Sequence, residues 1–336
     1  MRFYRFALPV VILASCAVST LAQAGDSWTF DTHSPGPCSP TGAEHGGCPP
    51  GTRVRIHVTT VASGLVQPWH LTFLPGTNDL LNALQWSSKV DPREWQPHTT
   101  AFARLASAGV STTVVNKREF EGSGLTVAGQ RGVLFVGADR VGERMAAVLA
   151  ASASAPSLVY MYEGDLDWTG HRYGVASLSW RLQLAMVDAA AEQLRETLPA
   201  DVRVLVVADH GMVDSPLSAR IDVDEHPDLL DGVALLGGEA RYRHLYCRGG
   251  AVDDVVDAWR ERLGDRAEVL TRDDALARGW FGPVTSDVRP RLGDVMVAAH
   301  GDFSVMSSAA FPYETRMIGL HGSLTSAEML IPVLVT

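Results

Sequence analysis

Side chains that can ligate a metal ion recur in three short motifs in the second half of the chain. Asp167 and His171 form an Asp-x-x-x-His motif, Asp209 and His210 are adjacent, and His321 stands before a glycine. A mixed set of carboxylate oxygens and imidazole nitrogens suits Zn²⁺ or a similar divalent ion in a catalytic site. On a helical turn, residues four apart point the same way, so Asp167 and His171 could share one cation.

Alternating strand-like and helix-like segments must position these motifs. The pattern predicts strands over 111–115, 132–136, 157–162, 202–208, 233–236, 268–270, 294–299 and 331–335, and helices over 99–108, 139–151 and 175–197. Such alternation predicts an α/β fold with a mostly parallel sheet and helices on both faces. In sheets of this kind ligands bind beyond the carboxyl ends of the strands, which is where the motifs fall.

Composition limits the classes of partner. The chain has 336 residues, of which 46% are hydrophobic, and a formal net charge of −10. This length is sufficient for one large α/β domain with a smaller appendage. The negative charge and the lack of a basic stretch argue against binding to a nucleic-acid backbone.

The N-terminus has the pattern of an export signal. Arg2 and Arg5 precede an apolar run over 6–18, and a small-x-small site ends at Ala24. We therefore expect residues 1–24 to be a signal peptide, too short to span a bilayer, and the protein to be exported, either secreted or periplasmic. The alternative is a lipoprotein box that ends at Cys16 and would leave that residue as a lipid anchor. Neither this run nor any later one predicts a transmembrane helix.

Residues 25–80 differ in character from the rest. Residues 25–52 are rich in Pro and Gly and are predicted to be a linker. Cys38 and Cys48 within it could form a disulfide, with a metal knuckle that includes His45 as the alternative. The segment 58–80, with the run from Gln67 to Gly76, resembles the opening strands of soluble sugar dehydrogenases that use pyrroloquinoline quinone. The other propeller blades are absent, so a surface hairpin or arm is the simpler interpretation.

The three metal-type motifs, taken in order, resemble the alkaline phosphatase superfamily in its nucleotide pyrophosphatase/phosphodiesterase-like branch. The resemblance covers residues 81–336. It implies that Asp167, His171 and His321 hold a first zinc ion, and that Asp209 and His210 belong to a second zinc site. It also implies an alkaline-phosphatase-like α/β sheet, here truncated at its N-terminus and preceded by an irregular or β arm.

The same resemblance implies two further elements that the sequence lacks. Family members open with a strand that ends in Asp-Gly and later place a Thr or Ser nucleophile at a helix N-terminus. Between the predicted signal peptide and residue 160 no apolar strand ends in Asp-Gly. Thr100 is only a weak candidate for the nucleophile, because the preferred interpretation is that Thr99 or Thr100 caps the helix that follows.

Three functions therefore remain open. The first is a metal-dependent hydrolase of small-molecule phosphoric esters, by ancestry, impaired or inactive because its first metal Asp and its nucleophile are missing. The second is a non-catalytic, zinc-binding chimeric fragment, with one full zinc site and half of another. The third is a quinone-dependent sugar dehydrogenase, which the first 80 residues suggest and the rest contradicts.

Overall fold

The structure is a computed structural model that describes residues 90–336 throughout, together with residue 86 and residues 80–82. It also describes the backbone of residues 10–14, 28–31, 53–56 and 71–73. The chain divides into two compact units, one formed by residues 1–20 and 64–336 and the other by residues 21–63.

Eighteen strands and ten helices are formed by the described residues. The strands are β1 (Val10–Ala14), β2 (Trp28–Asp31), β3 (Arg53–Ile56), β4 (Leu71–Phe73), β5 (Leu80–Asn82), β6 (Ser111–Asn116), β7 (Leu134–Gly137), β8 (Ser157–Tyr162), β9 (Arg203–Val207), β10 (Val213–Asp214), β11 (Arg220–Asp222), β12 (Val233–Glu239), β13 (Tyr242–Cys247), β14 (Ala267–Thr271), β15 (Val295–Ala299), β16 (Ser304–Met306), β17 (Gly319–Leu320) and β18 (Val333–Val335). The helices are α1 (Pro92–Trp95), α2 (Ala101–Ser107), α3 (Gly124–Gly129), α4 (Val141–Ala151), α5 (Asp165–Tyr173), α6 (Leu178–Thr197), α7 (Pro227–Leu230), α8 (Val252–Leu263), α9 (Arg272–Ala277) and α10 (Ser326–Met329).

A six-stranded sheet lies at the centre of the larger unit, in the order β18-β9-β1-β8-β6-β7. Strands β1, β6, β7, β8 and β9 are parallel, and β18 pairs antiparallel with β9 at one edge. The Asp167/His171 motif follows β8 and the Asp209-His210 motif follows β9, and these two strands flank β1. Their carboxyl ends therefore bring Asp167 and Asp209 to the same edge of the sheet.

Helices cover both faces of this sheet, as the sequence predicts. Val159 and Met161 of β8 pack in one apolar cluster with side chains from α4 and α6, among them Val148 and Leu194. Successive side chains of a strand point to opposite faces. Tyr160 accordingly points the other way and contacts Phe102 of α2 edge to face, with ring centroids 6.1 Å apart.

A second, wholly antiparallel sheet has the order β12-β13-β15-β14. The sequence pattern predicted a single, mostly parallel sheet that included these strands, so the second sheet was not predicted. The reason is that β15 is buried along its whole length, as a central parallel strand also is. Helix α8 packs on this sheet through a cluster that includes Trp259 and Leu263.

The N-terminal arm contributes two antiparallel pairs of short strands, β2 with β3 and β4 with β5. The predicted disulfide between Cys38 and Cys48 and the possible anchor at Cys16 lie outside the described residues. Strand β1 falls within the predicted signal peptide, and the structure pairs it on both sides in the parallel sheet. Within the part of the chain that the structure describes, no helix is both long and apolar enough to cross a membrane.

Candidate metal centre

Helix α5 carries the first motif and starts directly after strand β8. Asp167 and His171 lie one helical turn apart, so both face the same side of the helix, as predicted. The turn before the helix is held by two ion pairs. Lys117 Nζ lies 2.5 Å from Asp165 Oδ1, and Arg144 lies 2.5 Å from Glu163. The carboxylate of Asp165 is therefore paired with Lys117, away from the side chains of the motif.

Strands β10 and β17 bring the other two motifs together. They pair antiparallel, with Val213 opposite Leu320. The residues that precede β10 therefore lie beside those that follow β17, which places His210 against His321. The imidazole rings of these two residues stack, with centroids 3.7 Å apart and an interplanar angle of 20°.

The carboxylate of Asp167 is the centre of the cluster. Its Oδ2 lies 3.4 Å from His171 Nε2, and its Oδ1 lies 3.8 Å from His321 Nε2. His210 Nε2 is 4.0 Å from the same Oδ1 and 3.7 Å from Asp209 Oδ1. The structure therefore brings together all five side chains that the sequence predicts as metal ligands.

Backbone carbonyls orient two of the imidazole rings. His171 Nδ1 lies 2.9 Å from the carbonyl oxygen of Gly319, and His210 Nδ1 lies 2.9 Å from that of Gly211. Because a carbonyl oxygen can only accept, each Nδ1 carries the hydrogen and donates it. This arrangement points Nε2 of both rings at the centre of the cluster, which is the usual way in which metal-binding histidines are oriented.

The cluster shifts the pKa values of its own members. Burial alone would raise the pKa of Asp167, but the hydrogen bond to His171 and the nearby imidazoles lower it to about 2. Burial would lower the pKa of His171, but the same carboxylate raises it above its ordinary value. Burial and the neighbouring imidazoles lower the pKa of His321 to about 3. At neutral pH the carboxylate is therefore ionised and His321 is neutral, as metal ligation requires.

The arrangement fits a divalent cation. One ligand atom each from Asp167, His171 and His321 lies within 4.8 Å of the others. Asp167 Oδ1 is buried and, among the described residues, has no hydrogen-bond partner, whereas buried carboxylate oxygens are normally bonded. Three donors of the Asp-His-His type with an open fourth position are typical of catalytic zinc sites. Asp167, His171 and His321 would thus hold the ion.

Asp209 lies at the rim of this cluster. Its side chain is half exposed, and its Oδ1 accepts a hydrogen bond from the backbone N–H of His210. Burial, with the charge of Asp209 added, raises the pKa of the Tyr160 phenol above its ordinary value. Asp209 and His210 are close enough to the triad to contribute to a second ion, but by themselves they supply only two ligands.

Thr100 is placed away from these ligands. Its hydroxyl oxygen accepts a hydrogen bond from the Ala103 N–H, and the hydroxyl donates to the carbonyl of Arg131. Arg131 precedes strand β7, so this contact lies at the amino-terminal edge of the parallel sheet. The metal-type residues lie at the opposite edge. This geometry favours the capping role of Thr100 over that of nucleophile.

The sequence analysis missed one buried carboxylate near the cluster. Glu239 ends strand β12 and is 8% exposed. Its charge contributes to raising the pKa of His171 and partly opposes the lowering of the pKa of His321. A Cβ atom at Gly322 would lie 3.3 Å from Glu239 Cβ, so the loop after His321 passes close to this strand. The signal was absent from the sequence because Glu239 follows two glycines and belongs to no motif.

Comparison with known proteins shows the family of this chain. The family model for type I phosphodiesterase / nucleotide pyrophosphatase matches residues 45–324, which is most of the chain. The chain belongs to this family. The family lies in the alkaline phosphatase superfamily and is metal-dependent, typically on zinc. A search of curated proteins finds no match.

Solved structures of similar fold include the murine ectonucleotide pyrophosphatase / phosphodiesterase 5, as an inactive variant in complex with AMP. It is 17% identical, with a TM-score of 0.62, over 81% of this chain and 71% of that one. The human protein is 16% identical with the same TM-score and coverage. Phosphonoacetate hydrolase from Sinorhizobium meliloti 1021, in complex with phosphonoformate, is 17% identical with a TM-score of 0.55, over 80% and 73% of the two chains.

These comparisons confirm the predicted fold and family and extend the match. The resemblance stated from the sequence starts at residue 81, whereas the match to the family model starts at residue 45. The family match therefore covers the segment 58–80, for which a sugar-dehydrogenase resemblance was noted. No comparison shows that second resemblance.

Proposed function

We propose that this type I phosphodiesterase family member binds one zinc ion and has little or no phosphoric-ester hydrolase activity. The observation that carries the proposal is the cluster of Asp167, His171 and His321, whose ligand atoms lie within 4.8 Å of one another. Zn²⁺ bound there would supply a Lewis acid for a phosphoryl oxygen of a small phosphate ester. The chain itself keeps the Asp167 carboxylate ionised and the His321 imidazole neutral, and it orients the His171 ring through the Gly319 carbonyl.

The sequence does not supply a complete second metal site or a nucleophile placed beside the first. Asp209 and His210 stand where a second ion would bind, but the sequence offers no Asp-Gly strand to complete that site. The strand between β8 and β9 is β1, which Ser15 and Cys16 follow rather than a carboxylate. Nucleophilic displacement at phosphorus needs an activated hydroxyl in line with the leaving group, and Thr100 is bonded at the other edge of the sheet.

Zinc titration of the full chain tests the metal site. We expect one Zn²⁺ per chain, and a loss of affinity in His321→Ala that exceeds the roughly 10- to 100-fold typical of losing an outer-shell partner. His300→Ala is the matched control, because His300 is exposed and its Nδ1 lies 2.9 Å from the Asp265 carbonyl. Equal affinity in the wild type and His321→Ala would overturn the assignment of this site.

Hydrolysis tests the second part of the proposal. Zinc-loaded protein should release p-nitrophenol from bis(p-nitrophenyl) phosphate at no more than the rate of the His321→Ala variant. Zinc-dependent turnover that Thr100→Ala abolishes would show that the chain is a complete enzyme and that Thr100 is its nucleophile. Zinc binding with no turnover is the result that the proposal expects.

A further inference from the structure

Two arginines near the start of strand β13 are buried almost completely, each with a glutamate. Arg241 and Glu328 have side chains that are 0% and 1% exposed, and Arg243 and Glu314 have side chains that are 0% and 2% exposed. Removing two charges from water costs several kcal/mol per ion, so a buried pair contributes little net stability compared with apolar residues of similar size. Their contacts therefore indicate what each pair does.

The carboxylate of Glu328 organises the loop that carries His321. Its Oε1 accepts from Arg241 Nε and from the backbone N–H of Ser323, each at 3.0 Å. Its Oε2 accepts from Arg241 Nη2 at 2.6 Å and from the Thr325 hydroxyl. A bidentate Arg–carboxylate pair fixes orientation as well as charge. Ser323, two residues after His321, is thus bonded to a carboxylate that Arg241 holds through both oxygens.

The backbone of the same residue also holds the Asp209-His210 loop. The N–H of Gly211 donates to the carbonyl of Glu328 at 2.8 Å. A Cβ atom at Gly211 would overlap the carbonyl oxygen of Ala327, so this close approach requires glycine. Glu328 therefore contacts both of the loops that carry ligands from outside helix α5.

Arg241 anchors this arrangement to the second sheet. Its Nη1 donates to the carbonyl of Phe303, and its own carbonyl accepts from the Ala299 N–H at 2.9 Å. The Ser323 hydroxyl donates to the carbonyl of Ala299 at 2.6 Å. The loop after His321 is thus bonded to the end of strand β15 directly through Ser323, and indirectly through Glu328 and Arg241.

We infer that the Arg241–Glu328 pair is a positioning device that sets His321 and the Asp209-His210 loop at the metal centre. The inference rests on the proposed zinc site. The bonds of Glu328 to Ser323 and Gly211 reach the backbone of the two loops that carry these ligands, so the pair acts through that backbone. Outer partners of this kind typically contribute about 10- to 100-fold to metal affinity.

The Arg243–Glu314 pair supplies a matched control. It is equally buried, with Arg243 Nη2 2.5 Å from Glu314 Oε2. The remaining donors of Arg243 reach the carbonyls of Val305 and Gly238, and its guanidinium lies 4.8 Å from the Phe311 ring centroid. These contacts involve neither residues 209–211 nor residues 321–323.

The test compares two double variants of the full chain, Arg241→Met/Glu328→Leu and Arg243→Met/Glu314→Leu. Each removes both charges at once, which avoids leaving one charge buried and unpaired. Zn²⁺ affinity is measured by competition with a chromophoric chelator, and the visible spectrum of the Co²⁺-loaded protein reports ligand geometry. Thermal unfolding without metal measures stability separately.

We expect the first double variant to bind Zn²⁺ about 10- to 100-fold more weakly, with an altered Co²⁺ spectrum, and the second to match the wild type. If the double variant fails to fold, Thr325→Val tests the same point, since it removes only one bond to Glu328. It should weaken Zn²⁺ binding by a smaller factor. Unchanged affinity in the first variant, or equal loss in both, would overturn the inference. Failure of the unmodified chain to bind Zn²⁺ would overturn the proposed centre and the inference with it.

Discussion

Gly319 lies where strand β17 packs against helix α5. Replacing Gly319 with alanine should push the strand away from the helix. A Cβ atom there would lie 2.5 Å from Met212 Sδ and 2.9 Å from the carbonyl carbon of Gly170, where ordinary contact begins at 3.4 Å. Gly170 belongs to α5, between Asp167 and His171. Backbone cannot swing aside as a flexible side chain can, so the strand must move by roughly half an ångström to one ångström.

The magnitude follows from two contributions. Overpacking of a filled interior costs about 1–3 kcal/mol. The movement also strains the bond from the Ile318 N–H to the His171 carbonyl, 2.7 Å long, and the bond from the His171 ring to the Gly319 carbonyl; each contributes about 0.5–1.5 kcal/mol. We therefore expect Gly319→Ala to lower the free energy of unfolding by about 2–6 kcal/mol, the upper end applying if both bonds are lost, and to weaken zinc binding.

Urea unfolding of the metal-free protein and a zinc titration measure the two effects. Gly142→Ala is the control, because Gly142 lies in helix α4 and a Cβ atom there would meet nothing within 4 Å. That variant should be more stable than the wild type by up to about 1 kcal/mol, since alanine favours the helix. If Gly319→Ala unfolds at the wild-type urea concentration and binds zinc equally well, the close packing of β17 on α5 does not position the site.

Two further predictions concern buried polar groups. Burial, with the charge of Arg272, lowers the pKa of His244 to about 4 from 6.5, and its Nδ1 accepts a bond from the Gly293 N–H. As the pH falls, the imidazole of His244 is protonated in the unfolded chain before it is protonated in the folded one, so roughly 3 kcal/mol of stability should be lost between pH 6.5 and 4. The urea midpoint of His244→Gln should fall less over this pH range than that of the wild type. An equal fall would contradict the assignment. Arg144→Met leaves Glu163 buried without its ion-pair partner and should cost about 3–5 kcal/mol. Urea unfolding should show Arg144→Met/Glu163→Leu recovering most of that loss, and a single variant as stable as the wild type would refute the assigned role.

Locally determined elements were predicted well from the sequence. The strand predicted over 157–162 is observed as Ser157–Tyr162, and the β-branched run predicted over 202–208 forms Arg203–Val207. The helix predicted over 175–197 starts three residues later, because the Ser177 hydroxyl caps its first turn. Side-chain periodicity and caps are short-range properties, so one sequence reveals them. The common orientation of Asp167 and His171 follows from the same helical geometry.

Long-range partners could not be predicted in this way. Strand β15 looks like a central parallel strand, and only its pairing with β13 and β14 shows that it belongs to an antiparallel sheet. Arg241 and Glu328 are 87 positions apart, and nothing in either neighbourhood marks a buried pair. The ligands belong to recognisable motifs, whereas the residues that position them depend on the packing of the two sheets.

The N-terminal run shows how one composition can serve two roles. An apolar stretch of this length is typical of an export signal, and it also suits a buried parallel strand. The structure uses Val10–Ala14 as strand β1 between β8 and β9, which end at the two groups of ligands. Neighbouring strands lie about 4.8 Å apart, so β1 keeps β8 and β9 roughly twice that distance apart. A chain cleaved after Ala24 would lose this spacer. Removal of residues 1–24 is therefore incompatible with the observed pairing of β1 between β8 and β9.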